Sequence, residues 1–576
     1  MNKKVKIGSR GGIFTITDKY YKAAGGEASI YVNGGRVFKI YHDQQKTLPA
    51  RKIQELSLIY NPQVIVPQDL IFDTTTGDPI GYTANYIDNV DPLLKLFTRT
   101  FKQDNNIDPQ MIAALVKQLQ LITNDIHGAH CLIVDFNELN VLVNLAPNIL
   151  TPYFIDVDSY QTPSFKATAI MDSVRDRRVT SYDKNGKLTY TADDLSDWFS
   201  WGILTFWLYT NIHPFRGGHT NYRPCDKQKQ MDDGISVFHK GVKVPPSVNN
   251  FNVIPKRHLD WYQAVFLRNE RSVPPLPDSL APLTVPAAII TIKGTNQIDV
   301  IQTAAYSENV VSVIQSMGLN YVVTTKKVYC DQKELMNGRE KVKKTILCPA
   351  SDGTIIVGSL LGPKVTFTEL NRQREVGTIA SQDIFVRNNC IYTVSGNGKF
   401  VENFFTAMGD KMIHRVNEIE NVSMYTTTTY NGCLIQDLLG KKHLTLPYKK
   451  GSCFSKYLPQ LDQYRVVDAK AERNVVVIIA EQKGQYDRFI IVFKKDYSDF
   501  DVRKVEDIAY DTINFTVLEN GLTILLASPD ELELFGNNQN VSVLQNPPFD
   551  STMRLFNTPD GAFFINGNTI HQIKRK

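Results

Sequence analysis

Long apolar runs are missing from this chain of 576 residues, and so is a large excess of either charge. No apolar stretch reaches the roughly 18 residues that a membrane-spanning helix needs, and the N-terminal MNKKVKIGSRGG has no hydrophobic core behind its charges. A cytoplasmic protein without a membrane partner is therefore expected. Lysines and arginines total 64 against 59 acids, a net charge of only +5, so nucleic acid is not indicated as a partner.

Cysteine motifs are missing as well. The seven cysteines are odd in number and scattered, and no two of them form a CxxC pair. Such spacing predicts neither a disulfide framework nor a zinc site. We expect reduced thiols within the core.

The sequence does contain enough apolar material for more than one core. Hydrophobic residues make up 42% and charged residues 21%, as in soluble globular proteins. A length of 576 residues favours two or three domains. Four prolines in ten residues make VPPLPDSLAP (273–282) typical of an extended linker. The predicted division is a first domain at 1–275, a linker at 276–286 and a second domain at 287–576.

The second half consists almost wholly of strand and turn patterns. Short apolar runs start about 33 to 47 residues apart, which is the period of propeller blades, each a small four-stranded sheet. The runs are NYVVTT at 320, GTIIVG at 353, CIYTV at 390, GCLIQ at 432, NVVVIIA at 474, GLTILLA at 521 and GAFFING at 561. They predict an all-β domain with a seven-bladed propeller, with two β-sandwiches as the alternative. AAIITIKG (287–294) is predicted to pair with the final TIHQIK and so remove an exposed edge.

The first half mixes helical and strand-like stretches. In DPQMIAALVKQLQLITNDIH, Asp108 is suited to cap a helix, Pro109 to occupy its first turn, and apolar residues recur at spacings of three and four. DWFSWGILTFWLYT (197–210) is apolar on nearly every face, as expected of a helix buried at the centre of a domain. An amphipathic helix and a fully buried helix are therefore predicted.

A glycine-containing hairpin is predicted near the start, in AGGEASIYVNGGRVFKIY. Gly25, Gly26 and Ala28 are small, and small residues let backbone N–H groups approach phosphate oxygens. Lys39 lies on the following strand, where an ammonium group can neutralise those oxygens. Tight hairpins of any function also use glycine, so this stretch alone is a weak indication of a phosphate site.

Two further stretches carry oxygen ligands beside apolar strands. HCLIVDFNELNVLV contains Asp135 and Asn140, which need solvent, a partner or a ligand next to a run that buries itself. YFIDVDSYQ places Asp156 and Asp158 at the end of an apolar strand, where a solvated turn is the alternative. In chain order, Asp135, Asn140 and Asp156 form a set of oxygen ligands that suits Mg²⁺ and a phosphate chain.

In this order the motifs resemble those of the protein kinases. The family's catalytic loop, H-R-D-x-x-x-x-N, has the same interval between aspartate and asparagine, and its D-F-G aspartate follows on the next strand. Four further stretches match: NPQVIVP (61–67) where a strand follows the first helix, ANYIDN (84–89) at the hinge, SDWFSWGILTFWLYTNIHPFRG (196–217) as the central helix and LRNERSVPP (267–275) as the closing motif. The resemblance covers about residues 10–275 and implies a bilobal α+β fold with an N-lobe at about 10–87 and a C-lobe at about 88–275.

The resemblance also implies a role for each matched residue, with ATP and Mg²⁺ as cofactors. Lys39 would hold the α and β phosphates, Asp135 would accept the proton of the substrate hydroxyl, and Asn140 and Asp156 would hold Mg²⁺. Asp197 would brace the catalytic loop. The remaining implied nucleotide contacts are the loop residues Gly25, Gly26 and Ala28, the adenine-facing Ile30, Val37 and Leu142, and the hinge backbone of Asn85, Tyr86 and Ile87, with Ala84 as a small gatekeeper beside an open back pocket.

Several positions depart from the family pattern. Ile133 and Val134 replace the His-Arg pair before Asp135, so regulation by a phosphate on the activation segment is not expected. Asp158 stands where D-F-G has its flexible glycine, a form similar to that of divergent bacterial and phage kinases. No A-P-E motif is recognisable, which leaves open the partner of Arg271, the counterpart of the family's structural arginine.

The acid of the first helix is a further departure. Glu55 is the one plausible acid there, but it lies about one turn nearer to Asn61 than usual. Lys52 occupies the expected interval instead. The sequence therefore leaves the ion-pair partner of Lys39 open.

Together these features predict an ATP- and Mg²⁺-dependent serine/threonine protein kinase whose propeller binds a substrate or partner protein. A pseudokinase scaffold is one alternative, although a scaffold would not need the base Asp135. A small-molecule phosphotransferase of the aminoglycoside kinase type is another, since it shares the Asp…Asn and strand-aspartate motifs. The SDWFSWG helix and Arg271 favour a protein kinase over that second alternative.

Overall fold

A computed structural model describes residues 2–8, 11–25, 27–146, 149–167, 169–182, 188–223, 226–245, 248–276, 298–337, 342–350, 352–409, 411–423, 425–449, 451–494, 497, 499–508, 510, 512–528, 531–536, 540–545, 547–548 and 552–575. The chain divides into two compact units. Unit 1 comprises Met1–Phe101 and Ile107–Ala287, and unit 2 comprises Lys102–Asn106 and Ala288–Lys576. Of the predicted linker at 276–286, residues 277–286 lie outside the described part.

Strands and helices alternate before residue 277. The strands are β1 Asn2–Ile7, β2 Ile13–Thr17, β3 Tyr21–Ala24, β4 Ala28–Asn33, β5 Arg36–Tyr41, β6 Leu70–Asp73, β7 Pro79–Asn85, β8 Val90–Pro92, β9 Val141–Ala146, β10 Ile149–Phe154, β11 Thr180–Tyr182 and β12 Leu188–Tyr190. The helices are α1 Ala50–Leu56, α2 Arg99–Asp104, α3 Pro109–Gly128, α4 Asp194–Thr210, α5 Lys227–Asp232 and α6 Lys256–Phe266.

A seven-stranded antiparallel sheet forms the first part of unit 1, in the order β2-β1-β6-β7-β5-β4-β3. The turn between β4 and β5 uses Gly34 and Gly35, whose φ angles of 57° and 74° suit glycine. Strand β5 lies between β4 and β7, so a side chain on it is surrounded by neighbouring strands. Since β1 belongs to this sheet, the predicted N-lobe boundary at residue 10 is too late.

The strand predicted at NPQVIVP is wrong. Val64 makes only an isolated parallel bridge to Phe154, and the first strand after α1 is β6. Two prolines in that stretch, Pro62 and Pro67, lack the N–H groups that a regular ladder requires.

Both predicted helices are confirmed. Asp108 caps α3 by accepting a hydrogen bond from the N–H of Met111 at 2.8 Å, and Pro109 is its first residue. Helix α4 begins three residues before the predicted start at 197, because Asp193 and Ser196 form a capping box there. From Ser196 to its end, every residue of α4 is buried.

The segment that follows α6 packs against unit 1. The side chain of Gln120 donates to the carbonyl of Pro274 at 2.8 Å, and His258 Nε2 donates to that of Pro275 at 2.9 Å. Trp261 Nε1 donates to the carbonyl of Ser272 at 3.1 Å. The first residues of VPPLPDSLAP are therefore packed, and they lie within the first domain predicted at 1–275 and before the linker predicted at 276–286.

Strands make up the described part of unit 2 after residue 297, apart from one short 3₁₀ turn at Pro459–Leu461. They are β13 Ile298–Ala305, β14 Val310–Ser316, β15 Leu319–Thr324, β16 Val328–Cys330, β17 Lys333–Met336, β18 Lys344–Pro349, β19 Ile355–Leu361, β20 Lys364–Glu369, β21 Arg374–Ala380, β22 Asp383–Arg387, β23 Cys390–Val394, β24 Lys399–Met408, β25 Lys411–Asn421, β26 Thr427–Tyr430, β27 Cys433–Leu438, β28 Lys441–Lys449, β29 Ser452–Tyr457, β30 Arg465–Glu472, β31 Val475–Gln482, β32 Gln485–Phe493, β33 Phe500–Val505, β34 Phe515–Val517, β35 Thr523–Ser528, β36 Glu531–Phe535, β37 Ser542–Gln545, β38 Arg554–Thr558, β39 Gly561–Asn566 and β40 Thr569–Arg575.

These strands form four-stranded antiparallel sheets, seven in the described residues. Six sheets use four consecutive strands, and the last has the order β13-β40-β39-β38. Each of the seven apolar runs found in the sequence forms the second strand of a sheet, counted along the chain from β14, β18, β22, β26, β30, β34 or β38. These second strands are β15, β19, β23, β27, β31, β35 and β39. Most of the side chains on these strands are buried, as at Val476 and Ile478. Repeated four-stranded sheets are compatible with a propeller.

First strands of successive sheets contact one another. Contacts join β14 to β18, β18 to β22, β22 to β26, β26 to β30, β34 to β38 and β38 back to β14. Between β30 and β34, Thr516 Oγ1 donates to Glu472 at 2.7 Å. The sheets therefore follow one another side by side through unit 2.

The final strand pairs with the first strand of unit 2. β40 is antiparallel to β13, with Ile301 opposite Gln572. The predicted partner at 287–294 lies outside the described residues, and Ile298–Ala305 fills that position beside β40.

None of the helices in the described ranges has the length and apolarity needed to cross a membrane. The six described cysteines do not form disulfides, and three of them, Cys131, Cys348 and Cys433, are buried. Cys225 lies outside the described residues.

Candidate active site

Lys39 lies on β5, an inner strand of the seven-stranded sheet of unit 1. It is opposite Ile30 of β4 and Tyr82 of β7, and only 9% of it is exposed. Its Nζ lies 2.6 Å from Oδ1 of Asp156 and 2.8 Å from Oδ2 of Asp158. Burial alone would lower the pKa of Lys39, but the two carboxylates raise it above the ordinary lysine value. The lysine is therefore a fixed positive charge.

Asp158 accepts hydrogen bonds on both of its carboxylate oxygens. Tyr82 OH donates to Oδ1 at 2.6 Å and Tyr41 OH to Oδ2 at 2.5 Å, while Lys39 Nζ reaches both oxygens. Lys52 of α1 donates to the backbone carbonyl of Asp158 at 2.7 Å. Burial would raise the pKa of Asp158, but Lys39 and the two hydroxyls lower it. The sequence did not reveal this cluster as part of the site.

A signal for the two tyrosines was nevertheless present. Tyr41 is two residues after Lys39 on the same strand, and alternate residues of a strand point to the same face. Tyr82 is the direct cross-strand neighbour of Lys39, but that pairing depends on a register that only the folded sheet shows.

Glu55 accepts hydrogen bonds from residues other than Lys39. Its Oε2 accepts hydrogen bonds from Thr162 Oγ1 at 2.6 Å and from the N–H of Ser164 at 3.2 Å, and its Oε1 accepts one from Arg51. The bonds from Ser164 and Thr162 lower the pKa of Glu55 to about 2. The acid of the first helix therefore holds the segment that follows Asp158.

Asp197 braces the loop that carries Asp135, as the resemblance implied. It is completely buried, and its carboxylate accepts hydrogen bonds from the N–H groups of Ile133 at 2.7 Å and Val134 at 2.8 Å. His127 Nε2 lies 2.9 Å from Oδ2 of the same carboxylate. Val134 has a φ of 62°, which β-branched residues rarely adopt, so these bonds hold a strained turn in place.

Asp135 and Asn140 are in direct contact. The amide of Asn140 donates to the backbone carbonyl of Asp135 at 3.1 Å and to its Oδ2 at 3.2 Å. The backbone N–H of Met171 donates to Oδ1 of Asp135 at 2.8 Å. Burial raises the pKa of Asp135, although bonds from Asn137, Met171 and Asn140 oppose the shift. A raised pKa makes this carboxylate a better proton acceptor.

Asn140 and Asp156 are the predicted metal ligands. A backbone bond from Ile155 N–H to the carbonyl of Asn140, 2.9 Å long, brings their segments together. Asp156 is 43% exposed at its side chain, and neither its Oδ2 nor Oδ1 of Asn140 bonds to any described residue. One carboxylate oxygen and one amide oxygen without protein partners fit Mg²⁺. The described part of the chain has no cluster of three or more His, Cys, Asp or Glu side chains suited to a metal.

The predicted phosphate loop is only partly described. Gly25 donates its N–H to the carbonyl of Ala28 at 2.9 Å, and a Cβ added at Gly25 would meet no atom within 4 Å. Gly26 lies outside the described residues. Ala28 is buried in an apolar cluster with Tyr41 and Ala84, so its methyl group contributes to packing. Of the three loop residues, Gly25 is the one seen with open space around it.

The side chains predicted to face adenine are half-buried. Ile30 and Val37 lie on the adjacent strands β4 and β5, and Leu142 lies on β9 opposite Pro92 of β8. Partial exposure of apolar side chains is what a nucleotide base would cover.

The hinge prediction needs one correction. The N–H of Tyr86 donates to the carbonyl of Gly35 at 2.9 Å, so this group already has a partner and does not offer a free donor to a base. The side chain of Asn85 accepts a hydrogen bond from Gln68 at 3.0 Å. Asn85 ends β7, and Ile87 follows in irregular chain.

Ala84, the predicted gatekeeper, is packed among larger side chains. It is buried at 5% exposure in a cluster that includes Tyr41, Tyr82 and Ile53. These larger side chains occupy the surroundings that a small gatekeeper was expected to leave open. Tyr41 comes from β5, whereas Tyr82 lies on β7 two residues before Ala84.

Arg271 has a partner that the sequence left open. Its Nε and Nη2 each lie 2.8 Å from a carboxylate oxygen of Asp176, and its guanidinium lies 4.4 Å from the ring centre of Phe199. The side chain of Asp176 is fully buried. This bidentate ion pair fixes the end of the segment that begins at Asp156.

No family model matches this chain, and no curated protein matches it. Among solved structures, the chain is similar to the kinase PK-1 of Cydia pomonella Granulovirus, with 14% identity, 43% of this chain and 87% of that chain covered, and a TM-score of 0.30. What the site does must therefore follow from its own contacts.

The contacts bring together groups with complementary chemistry. Lys39 supplies a fixed positive charge, Asp156 and Asn140 supply oxygens for a cation, and Asp135 supplies a carboxylate with a raised pKa. Such a set can neutralise a phosphate chain, bind a divalent cation and accept a proton.

Proposed function

We propose that unit 1 is a bilobal, ATP- and Mg²⁺-dependent protein kinase. The observation that carries the proposal is the bond of 2.6 Å between Lys39 and Asp156, which lie 117 residues apart in the sequence. The same residues are the ones that the kinase motifs require at one site. The hydrogen bonds from Ile133 and Val134 to Asp197 support the proposal further, because they fix the backbone immediately before Asp135 and so orient that residue.

In this proposal each side chain has one task. Lys39 neutralises the α and β phosphates, and Asn140 with Asp156 holds Mg²⁺, which would neutralise charge on the transferred phosphoryl group. Asp135 orients the acceptor hydroxyl and takes its proton, a task that its raised pKa favours. Met171 N–H would have to leave Oδ1 of Asp135, or share it, for a hydroxyl to bind there.

We further propose that serine or threonine of a protein is the acceptor and that unit 2 is a seven-bladed propeller that selects it. The side-by-side contacts of the first strands and the pairing of β13 with β40 support a closed ring. The loops of such a ring are suited to bind a substrate or partner protein. The buried pair of Arg271 and Asp176 favours a protein kinase over a small-molecule phosphotransferase.

A pseudokinase is the second candidate, and one contact favours it. The N–H of Met171 occupies Oδ1 of the proposed base Asp135. A protein that only binds nucleotide would tolerate this contact, whereas in an enzyme the Met171 N–H must leave Oδ1 or share it with the acceptor hydroxyl.

Transfer of the labelled γ-phosphate of ATP to generic protein acceptors, in the presence of Mg²⁺, tests the proposal. We expect transfer by the wild-type chain, labelled phosphoserine or phosphothreonine after hydrolysis, and loss of transfer in Asp135→Asn. The control is Asp125→Asn, which removes a carboxylate on the exposed side of α3 that only accepts a bond from Asn61. Mg·ATP binding without transfer identifies a pseudokinase, and transfer to an aminoglycoside but not to protein identifies a small-molecule enzyme.

A further inference from the structure

The residue that holds Lys39 is not on the helix where a kinase-like site would carry it. Helix α1 has one acid, Glu55, and its carboxylate is engaged by Thr162 and Ser164. Lys52 occupies the interval expected for the acid and is itself positively charged. Its Nζ donates to the backbone carbonyl of Asp158. Helix α1 therefore presents a positive charge toward Lys39, and the balancing negative charge comes from elsewhere.

We propose, on the basis of the kinase function proposed above, that Asp158 is the positioning residue that fixes Lys39 for the phosphates of the nucleotide. The geometry supports Asp158 over Asp156 for this task. Both oxygens of Asp158 are saturated by Lys39, Tyr41 and Tyr82, and its side chain is only 8% exposed.

Asp156 is suited to a different task. It uses one oxygen for Lys39, leaves the other without a described partner and is 43% exposed. When a metal ion and a phosphate chain bind, Asp156 can turn toward them while Asp158 keeps its contacts. To bind a metal through either oxygen, Asp158 would have to give up the two hydrogen bonds on that oxygen, and one buried tyrosine hydroxyl would lose its acceptor.

This arrangement changes how the site is assembled. The charge that orients Lys39 is two residues from Asp156, so the lysine and the metal-binding segment are aligned by one stretch of chain. Glu55 is then available to anchor Thr162 and Ser164 in the segment that follows. Movement of α1 is not required to form the ion pair, and phosphorylation of the segment is not required to hold it.

The test compares four variants of the full chain. Asp158→Asn keeps the size of the side chain and removes its charge. Asp158→Gly restores the residue usual in D-F-G, and Lys52→Glu with Asp158→Gly moves the acid to the helix. Asp73→Asn is the matched control, because it removes a carboxylate that pairs with Lys3 at 3.1 Å in the same sheet. The measurements are kcat, KM for ATP and the thermal midpoint.

We expect Asp158→Asn and Asp158→Gly to lower kcat by about 100-fold with a change of less than about 5-fold in KM for ATP, because misplaced phosphates affect the transition state more than binding. The double variant should recover at least about 10-fold of the kcat lost in Asp158→Gly. Recovery by an acid on another element would not follow from a purely structural role. Asp73→Asn should match the wild type.

Each remaining outcome has one meaning. A kcat for Asp158→Asn within about 3-fold of the wild type overturns the positioning role, as does a double variant no better than Asp158→Gly. If the wild type binds Mg·ATP without transferring phosphate, the proposed enzyme fails but the inference is judged on the Kd for Mg·ATP, which must rise by about 2- to 5-fold in Asp158→Asn and not in Asp73→Asn. A wild type that neither binds nor transfers overturns both proposals.

Discussion

Buried charged groups have different roles in unit 1 and unit 2. In unit 1, Lys39, Asp158 and Asp156 converge on one place from distant parts of the chain. In unit 2, Glu402 accepts a hydrogen bond from the N–H of Gly451 in the next sheet, and Arg387 donates to the carbonyls of Pro447 and Arg473 in the next two sheets. Charge is concentrated at a site in the first unit and joins repeated elements in the second. Single substitutions should therefore remove chemistry in unit 1 and loosen packing in unit 2.

The largest expected effect is on phosphoryl transfer. Asp156→Ala should lower kcat by more than about 1,000-fold while the thermal midpoint shifts by less than about 2 °C, because its half-exposed side chain contributes charge rather than packing. Lys39→Ala should abolish transfer as well, but it should also lower the midpoint, since it leaves the buried carboxylate of Asp158 without its cation. Measured transfer by either variant at the wild-type rate would remove both residues from the site.

The next effect is on the stability of unit 1. Asp197→Ala should lower the free energy of unfolding of unit 1 by about 2 to 4 kcal/mol, because two backbone N–H groups lose their buried acceptor. Asp194→Ala, an exposed acid in the first turn of the same helix, is the control and should change it by less than about 0.5 kcal/mol. Denaturant unfolding followed by tryptophan fluorescence measures both. Equal stability of the two variants would contradict the bracing role.

A smaller effect should be confined to unit 2. Ile478→Val removes one methylene group from a fully buried position on β31 and should cost about 0.5 to 1.5 kcal/mol in the unfolding of that unit. Phosphoryl transfer to a generic acceptor should not change. Differential scanning calorimetry shows which unfolding transition moves. If Ile478→Val shifted the transition that Mg·ATP stabilises, its effect would not be confined to unit 2.

The smallest effect is expected from cutting the chain between the units. A protease site placed at 278–282, after the carbonyls bound by Gln120 and His258, should give two pieces that each unfold cooperatively. The thermal midpoint of each should stay within about 2 °C of its value in the intact chain. Mg·ATP should stabilise only the piece that contains Lys39, and selection of the physiological substrate should be lost with the other. Stabilisation that requires the uncut chain would show that unit 2 helps to form the nucleotide site.

The sequence was most informative where structure follows from local rules. Asp108 with Pro109 predicted the start of α3, and apolar periodicity located the second strand of every four-stranded sheet in the described part of unit 2. The Asp135 to Asn140 interval identified a pair that proves to be in contact. Each of these features depends on residues a few positions apart or on a repeated period.

Other features depended on contacts that no local pattern encodes. The saturation of Asp158 required the register between β5 and β7, which puts Tyr82 beside Lys39. The partner of Arg271 is Asp176, 95 residues earlier and outside any recognisable motif. The packing of Pro274 and Pro275 could not be predicted from the prolines of VPPLPDSLAP, because proline signals extended chain equally whether that chain is solvated or packed.

The pairing of β13 with β40 has a consequence for synthesis of the protein. Thr303 and the carbonyl of Ile570, which share a hydrogen bond there, are 267 residues apart. At about 5 to 20 residues per second, β13 leaves the ribosome roughly 13 to 53 s before its partner strand exists. During that interval the whole of unit 1 is already available to fold, while unit 2 carries an unpaired strand edge that invites pairing with other chains. Slow translation of the last sheets should therefore favour aggregation of this protein, and a chaperone that covers β13 should suppress it.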